Sequence, residues 1–202
     1  MCFDTDSTPP IFSDAGQAVM AVDAASVTLS STDGTLFSAF LARPERPSGA
    51  GILVLPDIRG LFRFYELLAM RLAEQGHTAL AIDYFGRTAG VEVRNDDFPF
   101  MEHIVRVTRQ TIDNDISAAG DYLRRAEGGG CKTVLALGFC FGGRQAFFAS
   151  APRFGFAGVI GFYACPGCIP MELPGQHNMR RSWRLRSWAF LEVPITVSPV
   201  QN

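Results

Sequence analysis

Four short runs of almost unbroken apolar residues constrain this chain more than any other feature. They are Gly51–Leu55 (GILVL), Thr78–Tyr84 (TALAIDY), Thr133–Leu137 (TVLAL) and Gly158–Tyr163 (GVIGFY). A strand wetted on one face alternates apolar and polar residues, whereas a strand covered on both faces does not, so these four are read as buried strands. Between them the spacing becomes helical. Tyr65, Leu68 and Leu72 share one face of a helix expected from about Phe64 to Gln75, with Gly76 placed to end it. Ile112, Ile116, Ala119 and Leu123 do the same for a helix near Thr111 to Arg125, closed by Gly128-Gly129-Gly130. A long loop is expected from Phe85 to about Met101. Buried strands alternating with helices specify an α/β fold, a mostly parallel sheet with helices on both faces. Ahead of that sheet, Ser26 to Arg43 roughly alternates on both sides of Asp33-Gly34, the pattern of a β-hairpin. Met1 to Ala25 reads as a loose arm.

Composition narrows the function classes. The 202 residues are 48% hydrophobic and 19% charged, which suits one folded unit and excludes a disordered chain. A net charge of −2 offers no basic field for nucleic acid. No Lys or Arg precedes Arg43, so the positive n-region of a secretory signal is missing. The longest uncharged stretch, Phe154 to Met171, is broken by glycine and proline and reads as a strand and loop, not a membrane span. Cys2, Cys131, Cys140, Cys165 and Cys168 form an odd set without secretory context. The expectation is a cytoplasmic protein with reduced thiols and neither a nucleic-acid nor a membrane partner.

Chemistry concentrates after the third run. Gly138-Phe139-Cys140-Phe141-Gly142-Gly143 lies between the strand TVLAL and a helix expected over Arg144 to Ala149. G-x-C-x-G at such a junction is the thiol form of a nucleophile elbow. A strand that turns straight into a helix leaves its central residue strained, and flanking glycines let neighbouring backbone come close. The central side chain then stands at the C-terminal edge of the sheet above a helix N-terminus. Helix dipole and unpaired N–H groups favour a thiolate there and, later, an oxyanion. The residues alone leave a second reading open, a small buried cysteine in a Gly-rich turn.

LPDIRGLF (Leu55 to Phe62), AIDYFGRTAG (Ala81 to Gly90), GFCFGG and GVIGFY, in this order, give a chain that resembles the dienelactone hydrolases of the α/β-hydrolase fold. The resemblance runs from roughly Ser26 to Gly167 and implies hydrolysis of a small-molecule ester or lactone by Cys140, without cofactor or metal. It implies an oxyanion hole formed by the backbone N–H groups of Ile58 and Phe141. Asp57 falls where well-known members carry a glutamate that holds the resting thiol. Arg87 falls where an arginine grips a substrate carboxylate, which implies an anionic substrate. As plain residues, Asp57 is equally a turn or capping residue and Arg87 a solvated loop charge.

A thiolate nucleophile in this fold needs a histidine, with an acid to fix its tautomer. The resemblance places both after the last recognisable strand. The three histidines are His77, which precedes a strand at the opposite end of the sheet from the elbow; His103, which is out of order; and His177, in a tail unlike the family.

From Cys168 onward the composition changes. Trp183, Trp188, Arg180, Arg181, Arg184 and Arg186 crowd into nine residues. Read one base earlier, synonymous codons for Ile169 to Ser198 permit the strand A-P-I-L-G-L followed by G-G-A-D, where the family places its catalytic aspartate. The pairs Met171-Glu172 and Trp188-Ala189 can only give glycine in that frame. Seventeen arginines against one lysine point to a G+C-rich gene. The expectation is a frame break near codons 166 to 169, a core over 26–167, an aberrant tail over 168–202 and a hydrolase impaired by loss of its Asp and His. The C-terminal strands and helices of the family would be missing, leaving a strand edge and a helix-packing face open to water and the chain poorly soluble. Two other classes stay in view. One is a non-catalytic small-molecule binder; the other is a thiol redox or metal-binding protein using Cys165 and Cys168.

Overall fold

A computed structural model of the chain describes residues 6–12, 21–95 and 97–164. The Asp33-Gly34 turn joins β1 (Val22–Ser30) to β2 (Leu36–Pro44), antiparallel and in register from Val22 opposite Pro44 to Ser30 opposite Leu36. Both strands extend past the stretch that alternates in sequence. The four apolar runs become β3 (Ala50–Leu55), β4 (Thr78–Ile82), β5 (Thr133–Phe139) and β6 (Gly158–Phe162). The sheet has six strands in the order β1-β2-β4-β3-β5-β6. β4, β3, β5 and β6 run parallel, and β2 joins the edge of β4 antiparallel.

Side-chain alternation divides the core into two layers. Leu53, Leu55, Leu80, Ile82, Val134 and Ala136 point to one face, where α4 (Arg109–Arg124) lays down Ile112, Ile116, Ala119 and Leu123. Val54, Ala79, Ala81 and Phe139 point to the other, under α1 (Arg63–Glu74) with Phe64, Tyr65, Leu68 and Ala69. The small alanines of β4 let α1 approach the sheet closely. α4 starts two residues early because Thr108 and Thr111 form a reciprocal capping box. α1 ends as expected, with Gly76 at φ 88°.

Three expectations are corrected. The span expected as a long loop contains α2 (Gly86–Ala89), and α3 (Phe100–Ile104) begins just inside its end. The helix after the elbow, α5 (Phe141–Phe148), starts at Phe141 and not at Arg144, because the turn is tighter than the apolar spacing suggests. β6 is not buried on both faces: Ile160 is 53% exposed and Phe162 41%. It is the last strand of the described sheet, and among the described residues nothing flanks its outer edge. Cys165, Cys168, His177 and the tail 168–202 lie outside the described residues, as does most of the N-terminal arm.

Candidate active site

β5 runs directly into α5, and Cys140 occupies the junction with φ 52° and ψ −113°. A non-glycine residue there is strained, and it persists only when its surroundings hold it. Two backbone hydrogen bonds do so: Cys140 N–H donates to the Phe162 carbonyl at 3.0 Å, and its own carbonyl accepts from Arg144 N–H at 3.1 Å. The glycines do what the motif requires. A Cβ on Gly138 would lie 2.1 Å from the Gly142 carbonyl oxygen, and one on Gly142 would lie 2.1 Å and 2.2 Å from the Leu55 and Pro56 carbonyl oxygens. The elbow is therefore in backbone contact with the loop after β3, the loop that carries Asp57 and Ile58. Cys140 is partly exposed at the N-terminus of α5, where Phe141 is the first helical residue. The first N–H groups of a helix have no partner within it and are available to negative charge.

Ile58 is partly buried against the α4-side core. Asp57 beside it is fully buried, and its carboxylate accepts hydrogen bonds from the Arg59 backbone N–H at 2.9 Å and the Arg59 side chain at 2.9 Å and 3.3 Å. It is thus both a cap for its own loop and half of an ion pair. Among the described residues, the hydrogen bonds seen at that carboxylate come from Arg59.

Arg87 is neither solvated nor open. Its guanidinium donates to both Asp115 oxygens at 2.8 Å and 2.7 Å, to Ser31 Oγ at 2.9 Å and to Asp33 at 2.7 Å. Burial works against its charge, but the hydrogen bonds it donates to Asp115 and Asp33 more than offset that and raise its pKa. Two carboxylates and a hydroxyl thus surround the guanidinium. The structure gives Arg87 the role of tying the β1–β2 turn and α2 to α4.

The two described histidines make their contacts with other groups. His77 Nδ1 lies 3.0 Å from Ser48 Oγ, at the end of the sheet opposite the elbow. His103 stacks on Phe98, ring centres 4.9 Å apart, and its buried Nδ1 has no partner among the described residues.

Three buried polar groups emerge that sequence reasoning did not assign. Asp83, fully buried after β4, accepts from Leu61 N–H at 3.1 Å, Phe85 N–H at 3.0 Å and Arg94 Nη2 at 3.0 Å. It joins the loop after β3 to the loop after β4. Tyr65 and Tyr84, also buried, hydrogen-bond the loop that carries Ile58. Their hydroxyls were the available signal, since a buried phenol needs a partner.

The model of the dienelactone hydrolase family matches residues 37–181 of this chain, well over half of it. The chain belongs to the dienelactone hydrolase family. The matched span ends inside the segment 168–202. A carboxymethylenebutenolidase of Rhodococcus opacus is 32% identical over 121 residues, 54% of this chain and 42% of that protein. A carboxymethylenebutenolidase of Pseudomonas putida is 27% identical over 143 residues, 68% of this chain and 59% of that one. A crystal structure titled as a dienelactone hydrolase, from Klebsiella pneumoniae subsp. pneumoniae, superposes with a TM-score of 0.59 at 25% identity, covering 71% of this chain and 60% of that one. This family member spans about half the length of the curated relatives it matches. No helix among its described residues is long and apolar enough to cross a membrane.

Proposed function

We propose that this chain is a dienelactone hydrolase-type enzyme acting on small-molecule esters or lactones through Cys140. The observation that carries the reading is the strained elbow, with Cys140 at φ 52° above the N-terminus of α5 and in backbone contact with the Ile58 loop. The Cys140 sulfur attacks the carbonyl carbon, and the oxyanion is received by the N–H groups of Phe141 and Ile58. Collapse expels the alcohol, or opens the lactone, and leaves a thioester. Water then releases the acid and restores the thiol. Two N–H donors fixed before the reaction stabilise the developing charge without reorganisation, the largest contribution in acyl transfer of this kind.

Asp57 serves in this reading as a loop-holding carboxylate, with the thiol-holding role second because Arg59 occupies its oxygens. Arg87 serves in this reading first as an ion-pair partner of Asp33 and Asp115, with the grip on a substrate carboxylate second. If the Asp and His of the family are impaired, as the sequence reading expects, acylation by an activated ester outruns deacylation. The test is p-nitrophenyl acetate in excess. The expected result is a burst of nitrophenolate close to one equivalent per chain followed by slow turnover, both lost in Cys140→Ala. No burst, together with stabilisation by small esters in a thermal shift, would favour a binder without chemistry.

A further inference from the structure

We propose that Tyr65 and Tyr84 are positioning residues for the oxyanion hole, clamping one peptide group from both ends so that the Ile58 N–H faces the elbow. This rests on the reading of Ile58 as an oxyanion donor. The peptide is the one between Pro56 and Asp57. Its carbonyl oxygen accepts from the Tyr84 hydroxyl at 2.8 Å, and its N–H donates to the Tyr65 hydroxyl at 3.0 Å. A peptide group is planar, so fixing both ends fixes the plane. The next peptide carries the Ile58 N–H. Its carbonyl, that of Asp57, accepts from Gly60 N–H at 3.1 Å. In a trans peptide the C=O and N–H point in opposite directions, so that bond turns the Ile58 N–H away from the 57–60 turn.

The two tyrosines arrive from opposite faces of the sheet. Tyr65 belongs to the layer under α1 and Tyr84 to the layer under α4, and both are buried. Tyr84 also reaches the other donor: its ring meets the Phe141 ring edge-on with centres 5.3 Å apart. The Pro56 carbonyl it holds is one of the two against which Gly142 packs. One phenol thus links the loop donor to the helix donor. Burial, reinforced by the charges of Asp57, Asp83 and Cys140, keeps the Tyr84 phenol protonated, and burial with Asp57 does the same for Tyr65. Both hydroxyls are therefore constant across the working pH range.

A purely structural role is separated by comparing two reactions of the same sulfur. Acylation by p-nitrophenyl acetate passes through an oxyanion; alkylation by iodoacetamide displaces iodide at a saturated carbon and forms none. Both are followed on the peptide containing Cys140 in the full chain, for the parent and for Tyr65→Phe, Tyr84→Phe and the double variant. Removing a donor outright costs a hundredfold or more, so loosening one should slow acylation about tenfold in each single variant, with alkylation unchanged within about twofold. Acylation unchanged, or both reactions slowed together, overturns the proposal. The single variants are independent, so misfolding of one leaves the other as the test. If the parent chain itself acylates no faster than Cys140→Ser while alkylating normally, the oxyanion reading fails first and this proposal falls with it.

Discussion

Cys140 is held in a conformation that its neighbours impose on it. A left-handed backbone at a non-glycine residue costs about 1–3 kcal/mol, which only the surrounding hydrogen bonds and close backbone contacts offset. Cys140→Gly should therefore raise the unfolding free energy in urea by about 1 kcal/mol while abolishing acylation, a trade of stability for chemistry confined to one residue. Gly142→Ala should lower the unfolding free energy instead. Its methyl would meet two main-chain carbonyl oxygens that cannot move without shifting β3. A loss of about 1–3 kcal/mol or more in the same titration, with loss of the acylation burst, is the expected outcome. The elbow was legible in the sequence because glycine and cysteine at fixed spacing after an apolar run admit few geometries. The tyrosine hydroxyls were not, since Tyr65 reads as one more apolar residue on a helix face and its partner lies on another element.

Among the elements, the contact between the β1–β2 turn, α2 and α4 depends on Arg87. Asp115 is 1% exposed, and without the guanidinium it would be a buried charge with no counterpart. Arg87→Leu should destabilise by about 3–5 kcal/mol in chemical denaturation, and at temperatures where it stays folded it should not weaken anionic esters more than neutral ones. Asp33, in the turn, has its pKa lowered below the usual carboxylate range, chiefly by the Arg87 hydrogen bond. A carboxylate depressed in the fold contributes stability that is complete above its unfolded pKa of about 4 and fades as the pH falls towards the folded value. Asp33→Asn should accordingly flatten the acid-unfolding curve between about pH 4 and pH 2, and an unaltered curve would remove Asp33 from the account. The strands and the long helices were legible because burial imposes period and length. The network around Arg87 was not, because it joins residues 31–33, 87 and 114–115, which only the fold brings together.

At the scale of the whole molecule, the sheet is, among the described residues, well covered from β2 to β5 and open at β6. Ile160 and Phe162 lie on the α1 side of that strand, where the sequence led us to expect a bare helix-packing face. An exposed apolar edge strand invites pairing between copies. Ile160→Lys should lower the concentration-dependent light scattering of the chain without changing its acylation. Sequencing the gene across codons 160 to 202 and beyond is expected to show G-G-A-D after one base is restored near codons 166 to 169; a frame confirmed as written would overturn the expected frame break. The central claim, that Cys140 is an acylating nucleophile, is tested most directly by peptide mass mapping after a brief reaction with p-nitrophenyl acetate. The account predicts one acetyl group, labile to hydroxylamine, on the peptide containing Cys140, and none on that containing Cys131. An acetyl group spread over other side chains, with Cys140 unmodified, would contradict it.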